Sequence, residues 1–207
     1  MAYSAIAVAN AFIEKANEVG ITDLSQMKLQ KLVFFAQSWC LKLYDEPLVE
    51  DFFARWLYGP VIPTLYYATN HYGNGHISSL ISTIEYSEGG SSSIVTPAIT
   101  APGIELSNLF DNIIKVYGGM TAAKLSSLTH LAGSAWSKAG KKEAILDNEL
   151  LKKCITIEEK RFMSRAEFPF NFDLKIIEHK TEDECIPVPN NLASLDEFTA
   201  WLKEAIK

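Results

Sequence analysis

Residues 25–44, SQMKLQKLVFFAQSWCLKLY, put apolar side chains around most of a helical circumference. A helix with one apolar stripe lies on a surface, whereas one apolar nearly all round has to be enclosed. Leu29, Leu32, Val33, Phe34, Phe35, Ala36, Trp39, Cys40 and Leu43 form this apolar set. Other helices must cover it, so the pattern predicts a mainly α protein, a compact helical bundle with residues 25–44 at its centre. Lys28, Gln30 and Lys31 stand beside the apolar positions, and a lysine taken out of water requires partners.

The covering elements are readable on either side. Ile6, Ala9, Phe12, Ile13, Ala16 and Val19 recur at helical spacing, and Gly20 follows where a left-handed residue ends a helix. Asp23 and Gln26 have capping-box spacing ahead of the central helix. Residues 51–58, DFFARWLY, are aromatic-rich and short, which predicts a strand, with Gly59-Pro60 breaking it. Pro63 opens a third helix that Gly73 stops. Residues 73–103 form a Gly-rich insertion, read either as a hairpin within 81–99 turning at Gly89-Gly90 or as a lid. A helix over 106–117, one over 122–129 capped by Thr121, and one over 147–154 complete the expected bundle. The predicted organisation is a helical domain over 1–155 and a small α/β extension over 156–207 packed on it. Within that extension a strand is expected at 172–178, and a helix follows the Ser194-x-x-Glu197 capping box.

Charge and cysteine content narrow the functional classes. Nineteen basic against 25 acidic residues give a net charge of −6. That is the wrong sign for a protein held mainly by phosphate backbone, so nucleic acid is not an expected partner. The basic excess lies in residues 138–165, but it is mixed with acids and reads as a solvated helical face. Cys40, Cys154 and Cys185 lack the spacing of a disulfide framework or a zinc site. The N-terminal stretch has no basic region of the signal-peptide kind, and no run approaches the ~20 apolar residues of a membrane span. A cytoplasmic location is therefore expected.

No catalytic motif is found. His71, His76, His130 and His179 show no metal-ligand spacing, and there is no phosphate loop, dinucleotide fingerprint or nucleophile elbow. No cofactor, no metal and no catalytic residue is expected, and Cys40 on an apolar helix face is read as a packing residue. One enzyme reading is kept, in which His130 works with a carboxylate in a concave pocket. Three places are more specified than packing requires. These are Lys28-Leu29-Gln30-Lys31-Leu32, then Trp56-Leu57-Tyr58-Gly59-Pro60-Val61 leading to Pro63, and Leu128-Thr129-His130 followed by Trp136. For His130 the simplest reading is a helix-end residue bonded to backbone; alternatively Gln30, Lys31 and His130 form one polar cluster.

Together with Phe35-Ala36-Gln37 and Glu46-Pro47-Leu48, these three segments resemble the Panacea domain of SocA-type antitoxins, a family also labelled phage-associated protein. The resemblance runs over roughly residues 5–155. Arg55 stands where the family commonly has alanine, and a charge there suggests an exposed strand edge. The resemblance implies a mostly helical domain that acts by protein–protein contact and neutralises a cognate small toxin. It also implies two alternatives: an adaptor delivering the toxin to a ClpXP-type protease, or a phage-borne regulator of a host protein. The partner-specific surface is expected in residues 73–103 and the tail, or near the Tyr58–Pro63 turn. Lys28, Gln30, Lys31, Trp56, Tyr58, Gly59, Pro60, Val61, Pro63, Thr129, His130 and Trp136 are the family-motif and candidate interaction residues.

Overall fold

The structure, a computed structural model, describes residues 2–86, 90–140 and 144–164, all within one compact unit, Met1–Phe168. The predicted strand at 172–178 and helix after Ser194 lie outside the described residues, as does the C-terminal extension beyond residue 164.

The central helix is as the pattern demands. Helix α1 (Ala5–Glu18) precedes α2 (Gln26–Tyr44), and every α2 residue from Lys28 to Leu41 is buried. Around α2 stand α1, α3 (Pro63–Thr69), α4 (Ile104–Tyr117), α5 (Ala122–Thr129) and α7 (Asn148–Lys153). Trp39, Phe35 and Leu32 are at most 1% exposed, each such side chain contributing ~1.5–3 kcal/mol by burial. Phe35 stacks on Tyr117 at 4.3 Å, and the Trp39 indole N–H donates to the Tyr117 hydroxyl at 3.3 Å. Burial pushes the Tyr117 phenol well above its ordinary range.

Helix ends follow local capping chemistry. The Ser4 hydroxyl accepts from Ala7 N–H, the Thr121 hydroxyl from Lys124 N–H, and Gly20 adopts φ +74° after α1. The expected Asp23 capping box is not formed. Ser25 caps α2 instead, and the Asp23 carboxylate receives the Lys28 ammonium at 2.5 Å. Two short helices are additions to the expected set: α6 (Ala135–Lys138) and α8 (Ile157–Met163), the latter opened by a Thr156–Glu159 capping box and packed on α4.

Two small sheets complete the architecture. Strand β1 (Phe53–Trp56) pairs antiparallel with β2 (Gly59–Val61) and, on its other side, with β5 (Ile145–Leu146). Gly59-Pro60 therefore does not break the strand; it begins the returning one, and Leu57-Tyr58 make the turn. Proline is tolerated there because β2 is an edge strand, where a missing N–H costs no ladder bond. Arg55 correspondingly lies in the middle strand rather than on an exposed edge. The second sheet is the hairpin of β3 (Thr83–Tyr86) and β4 (Ser92–Val95), with Ile84 opposite Ile94. A hairpin thus forms within the expected 81–99 stretch. It is tied to α1 by Asn10, whose amide donates to the Ile81 and Pro97 carbonyls and accepts from Ile81 N–H.

Candidate functional site

Buried amides on helices have to bond something, and those of α2 bond the backbone of other segments. The Gln30 side chain donates to the Ile62 carbonyl at 3.1 Å and accepts from Ile62 N–H at 2.9 Å. Seven residues on, and so on nearly the same helix face, Gln37 accepts from Leu48 and Val49 N–H and donates to Asn148. Lys31, 1% exposed, donates to the Pro60 carbonyl at 2.9 Å. Desolvation lowers the Lys31 ammonium to about 7.

The hairpin of β1 and β2 is held from the opposite side as well. At the end of α5 the His130 ring nitrogens face the carbonyls of Ser126 at 2.7 Å and Leu57 at 3.0 Å. The Ser126 hydroxyl donates to the Tyr58 carbonyl at 2.9 Å, and the Trp136 indole donates to the Trp56 carbonyl at 2.7 Å. Five carbonyls between residues 56 and 62 thus receive side-chain donors from α2, α5 and α6 or face the His130 ring. Trp136 is in turn fixed between two partners. The His130 ring lies 3.9 Å away, and the Arg55 guanidinium sits 3.7 Å over the indole while its Nε donates to the Trp136 carbonyl.

Gly59 shows how close the clasp is. Its φ of +103° disfavours any side chain, and a Cβ there would stand 2.5 Å from Thr129 Oγ1 and 2.9 Å from Lys31 Nζ.

The candidate residues therefore divide. Gln30, Lys31, Trp56, Gly59, Pro60, Thr129, His130 and Trp136 build the clasped hairpin; Gln30, Lys31 and His130 share it as a common target rather than bonding one another. Val61 is a buried β2 residue and Pro63 opens α3. Lys28 lies apart, paired with Asp23. Of the turn, Leu57 and Tyr58 are exposed whereas Gly59, Pro60, Val61 and Ile62 are buried, so the Tyr58–Pro63 turn cannot offer most of its residues to a partner. Asn10, Gln37 and Ser126 also hold backbone across the fold and are absent from the candidate residues of the sequence. A lone amide inside an apolar helix, as at Gln37, is the signal that finds two of them; nothing local marks Ser126.

Beside the hairpin is a cavity of about 510 Å³ between the N-terminal half of α2, the β1–β2 tip and Tyr66 of α3. Met27, Trp56, Leu57, Val61 and Tyr66 supply apolar walls, and among the described residues Lys31 is the one charged residue lining it. Trp56 meets Tyr66 edge to face at 4.8 Å. Among the described residues neither His130 nor any carboxylate lines this cavity. Among the described residues no group of three or more His, Cys, Asp or Glu could hold a metal. No helix among them is long and apolar enough to cross a membrane.

The family profile described as Antitoxin SocA-like, Panacea domain, matches residues 29–137, a span holding Gln30, Lys31, the whole hairpin, His130 and Trp136. The chain belongs to this family. Antitoxin SocA of Caulobacter vibrioides (strain NA1000 / CB15N) is 30% identical over 130 residues, which is 63% of this chain and 66% of that relative. The match thus covers just under two thirds of the SocA chain. No solved structure matches this sequence.

Proposed function

We propose that this protein is an antitoxin that neutralises a cognate small toxin by direct contact, without catalysis and in the cytoplasm. Membership of the SocA-like Panacea family carries the reading. The geometry is compatible with it, because the motif residues are spent on holding a backbone hairpin rather than on assembling reactive groups. The toxin-contacting surface in this reading is the β3–β4 hairpin. A lone two-stranded sheet is marginal in water, yet this one displays Ile84, Tyr86 and Ile94 at 55%, 78% and 79% exposure. Burying such a patch against a partner would supply association energy that the free protein leaves unused. The net charge of −6 would steer a basic toxin and chiefly raise its association rate.

The test is co-expression with the product of the neighbouring small open reading frame, followed by growth scoring and co-purification. Rescue with a stable complex supports neutralisation by contact. Rescue with disappearance of the toxin would replace that mechanism by delivery to a ClpXP-type protease. A harmless neighbour would overturn the antitoxin reading.

A further inference from the structure

The cavity beside the β1–β2 hairpin contains a polar group that the hairpin clasp does not use up. Gln26 and Gln30 line the cavity, but their amide nitrogens already donate, Gln26 to the Tyr66 carbonyl and Thr69 hydroxyl and Gln30 to the Ile62 carbonyl. Lys31 differs. An ammonium has three N–H donors, and among the described residues the Pro60 carbonyl is the one acceptor it meets. Burial alone accounts for its displacement from the usual lysine range, with no carboxylate contributing. A nearly fully buried amine with unfilled donors, at the wall of an otherwise uncharged cavity, is an arrangement that costs stability. A buried, perturbed amine at the wall of a concave apolar cavity is a candidate binding site on physical grounds.

We propose that this cavity binds a carboxylate borne on an apolar, preferably aromatic, body. The carboxylate would take the free N–H donors of Lys31, and the body would lie against Trp56, Tyr66 and Met27. The volume of about 510 Å³ is within the range of small-molecule sites. Leu57 and Tyr58, exposed at the hairpin tip and also lining the cavity, form its rim. Among the described residues, the titratable groups beside Lys31 are Tyr58 and Tyr66 of the cavity wall and, behind Thr129, His130; no Asp or Glu is among them. The site is independent of the antitoxin reading and stands or falls separately from it.

A free small acid and the carboxylate of a polypeptide share this chemistry, and the experiment separates them. The full chain is titrated with 3-phenylpropionate, with an acetylated tripeptide ending in a free phenylalanine carboxylate, and with the amide of each. The Lys31 side-chain resonances are followed by NMR, assigned through Lys31→Met. The acid forms are expected to bind at least tenfold more tightly than the amides and to move the Lys31 titration midpoint upward. Affinity should fall by up to about tenfold per pH unit above 7, as the amine loses its proton. Full affinity for 3-phenylpropionate identifies a free acid as sufficient, whereas affinity confined to the tripeptide identifies a chain terminus; both support the site. Equal binding of acids and amides, or no movement of the Lys31 resonances at millimolar concentrations of either acid, overturns it. The acid-against-amide comparison is made on the unmodified protein, so the conclusion survives if Lys31→Met alters the fold.

Discussion

Replacing Lys31 by methionine should make this protein more stable at neutral pH, and the gain should disappear as the pH rises. The folded-state value of Lys31 lies near 7 against the ordinary 10.5. The unfolded chain therefore binds more protons than the folded one between those two values, and stability rises with pH across that window. A displacement of this size corresponds to about 5 kcal/mol at most, at about 1.4 kcal/mol per unit. Some of the penalty persists until the pH approaches 10.5, and roughly 2 kcal/mol of it is relieved between pH 7 and pH 9. Methionine removes the penalty but also removes the donor to the Pro60 carbonyl, a loss of ~1–3 kcal/mol. The net expectation at pH 7 is a gain of roughly 2–3 kcal/mol. Urea unfolding followed by far-UV circular dichroism at pH 7, 8 and 9 and constant ionic strength measures both proteins. Cys40 and Tyr117 have folded-state values raised by burial, so each stabilises below its unfolded value and loses this as the pH climbs past it. Both are common to the two proteins and cancel in the difference. Parallel stability–pH curves for wild type and Lys31→Met would refute the claim that a buried, underbonded amine is held here.

The other expectations concern the clasp, the hairpin surface and a thiol. Gly59→Ala should destabilise by about 2–4 kcal/mol, combining positive-φ strain with a Cβ driven onto Thr129 and Lys31; a urea midpoint unchanged from wild type would contradict the close approach. Trp136→Phe strands the Trp56 carbonyl and should cost about 1–3 kcal/mol. A double-mutant cycle of Arg55→Ala with Trp136→Leu, which removes the ring, should give a coupling of about 0.5–2 kcal/mol, and a coupling near zero would count against the stacked arrangement. The pair Ile84→Ser with Ile94→Ser should leave the melting temperature within a degree or two of wild type while abolishing rescue from the toxin. Cys40, buried with its thiol pushed up to about 11, should resist a thiol reagent at pH 8 until urea unfolds the chain, as peptide mass mapping would reveal.

The bundle was legible because its strongest constraints are local. The apolar circumference of residues 25–44 demanded enclosure, and Gly20, Pro63 and Thr121 marked helix ends through their own backbone or side-chain chemistry. The misreadings arise where a distant segment decides the outcome. Asp23 has capping spacing, but the Lys28 ammonium claims its carboxylate and leaves Ser25 to cap. Arg55 looked like an edge charge because β5, two residues long, is too short to announce itself; its pairing makes β1 a middle strand. Gly59-Pro60 carries every local mark of a break, and only the strand opposite turns it into a ladder. The motif residues of the site were identifiable, yet their job was not. That Gln30, Lys31, Ser126, His130 and Trp136 converge on five carbonyls within residues 56–62 depends on three helices meeting at one turn, and no spacing along the chain encodes that meeting.

The clasp has a consequence for how this surface can change. A hairpin tip ordinarily owes its shape to its own residues, so altering them alters the shape. Here the backbone of residues 56–62 is gripped by side chains rooted in three helices, while the Leu57 and Tyr58 side chains are exposed and only their carbonyls are held. The scaffold and the display are written in different parts of the sequence. Substitutions at these two positions can therefore redraw the rim of the cavity without renegotiating the fold beneath it, leaving new contacts free to be tried one residue at a time.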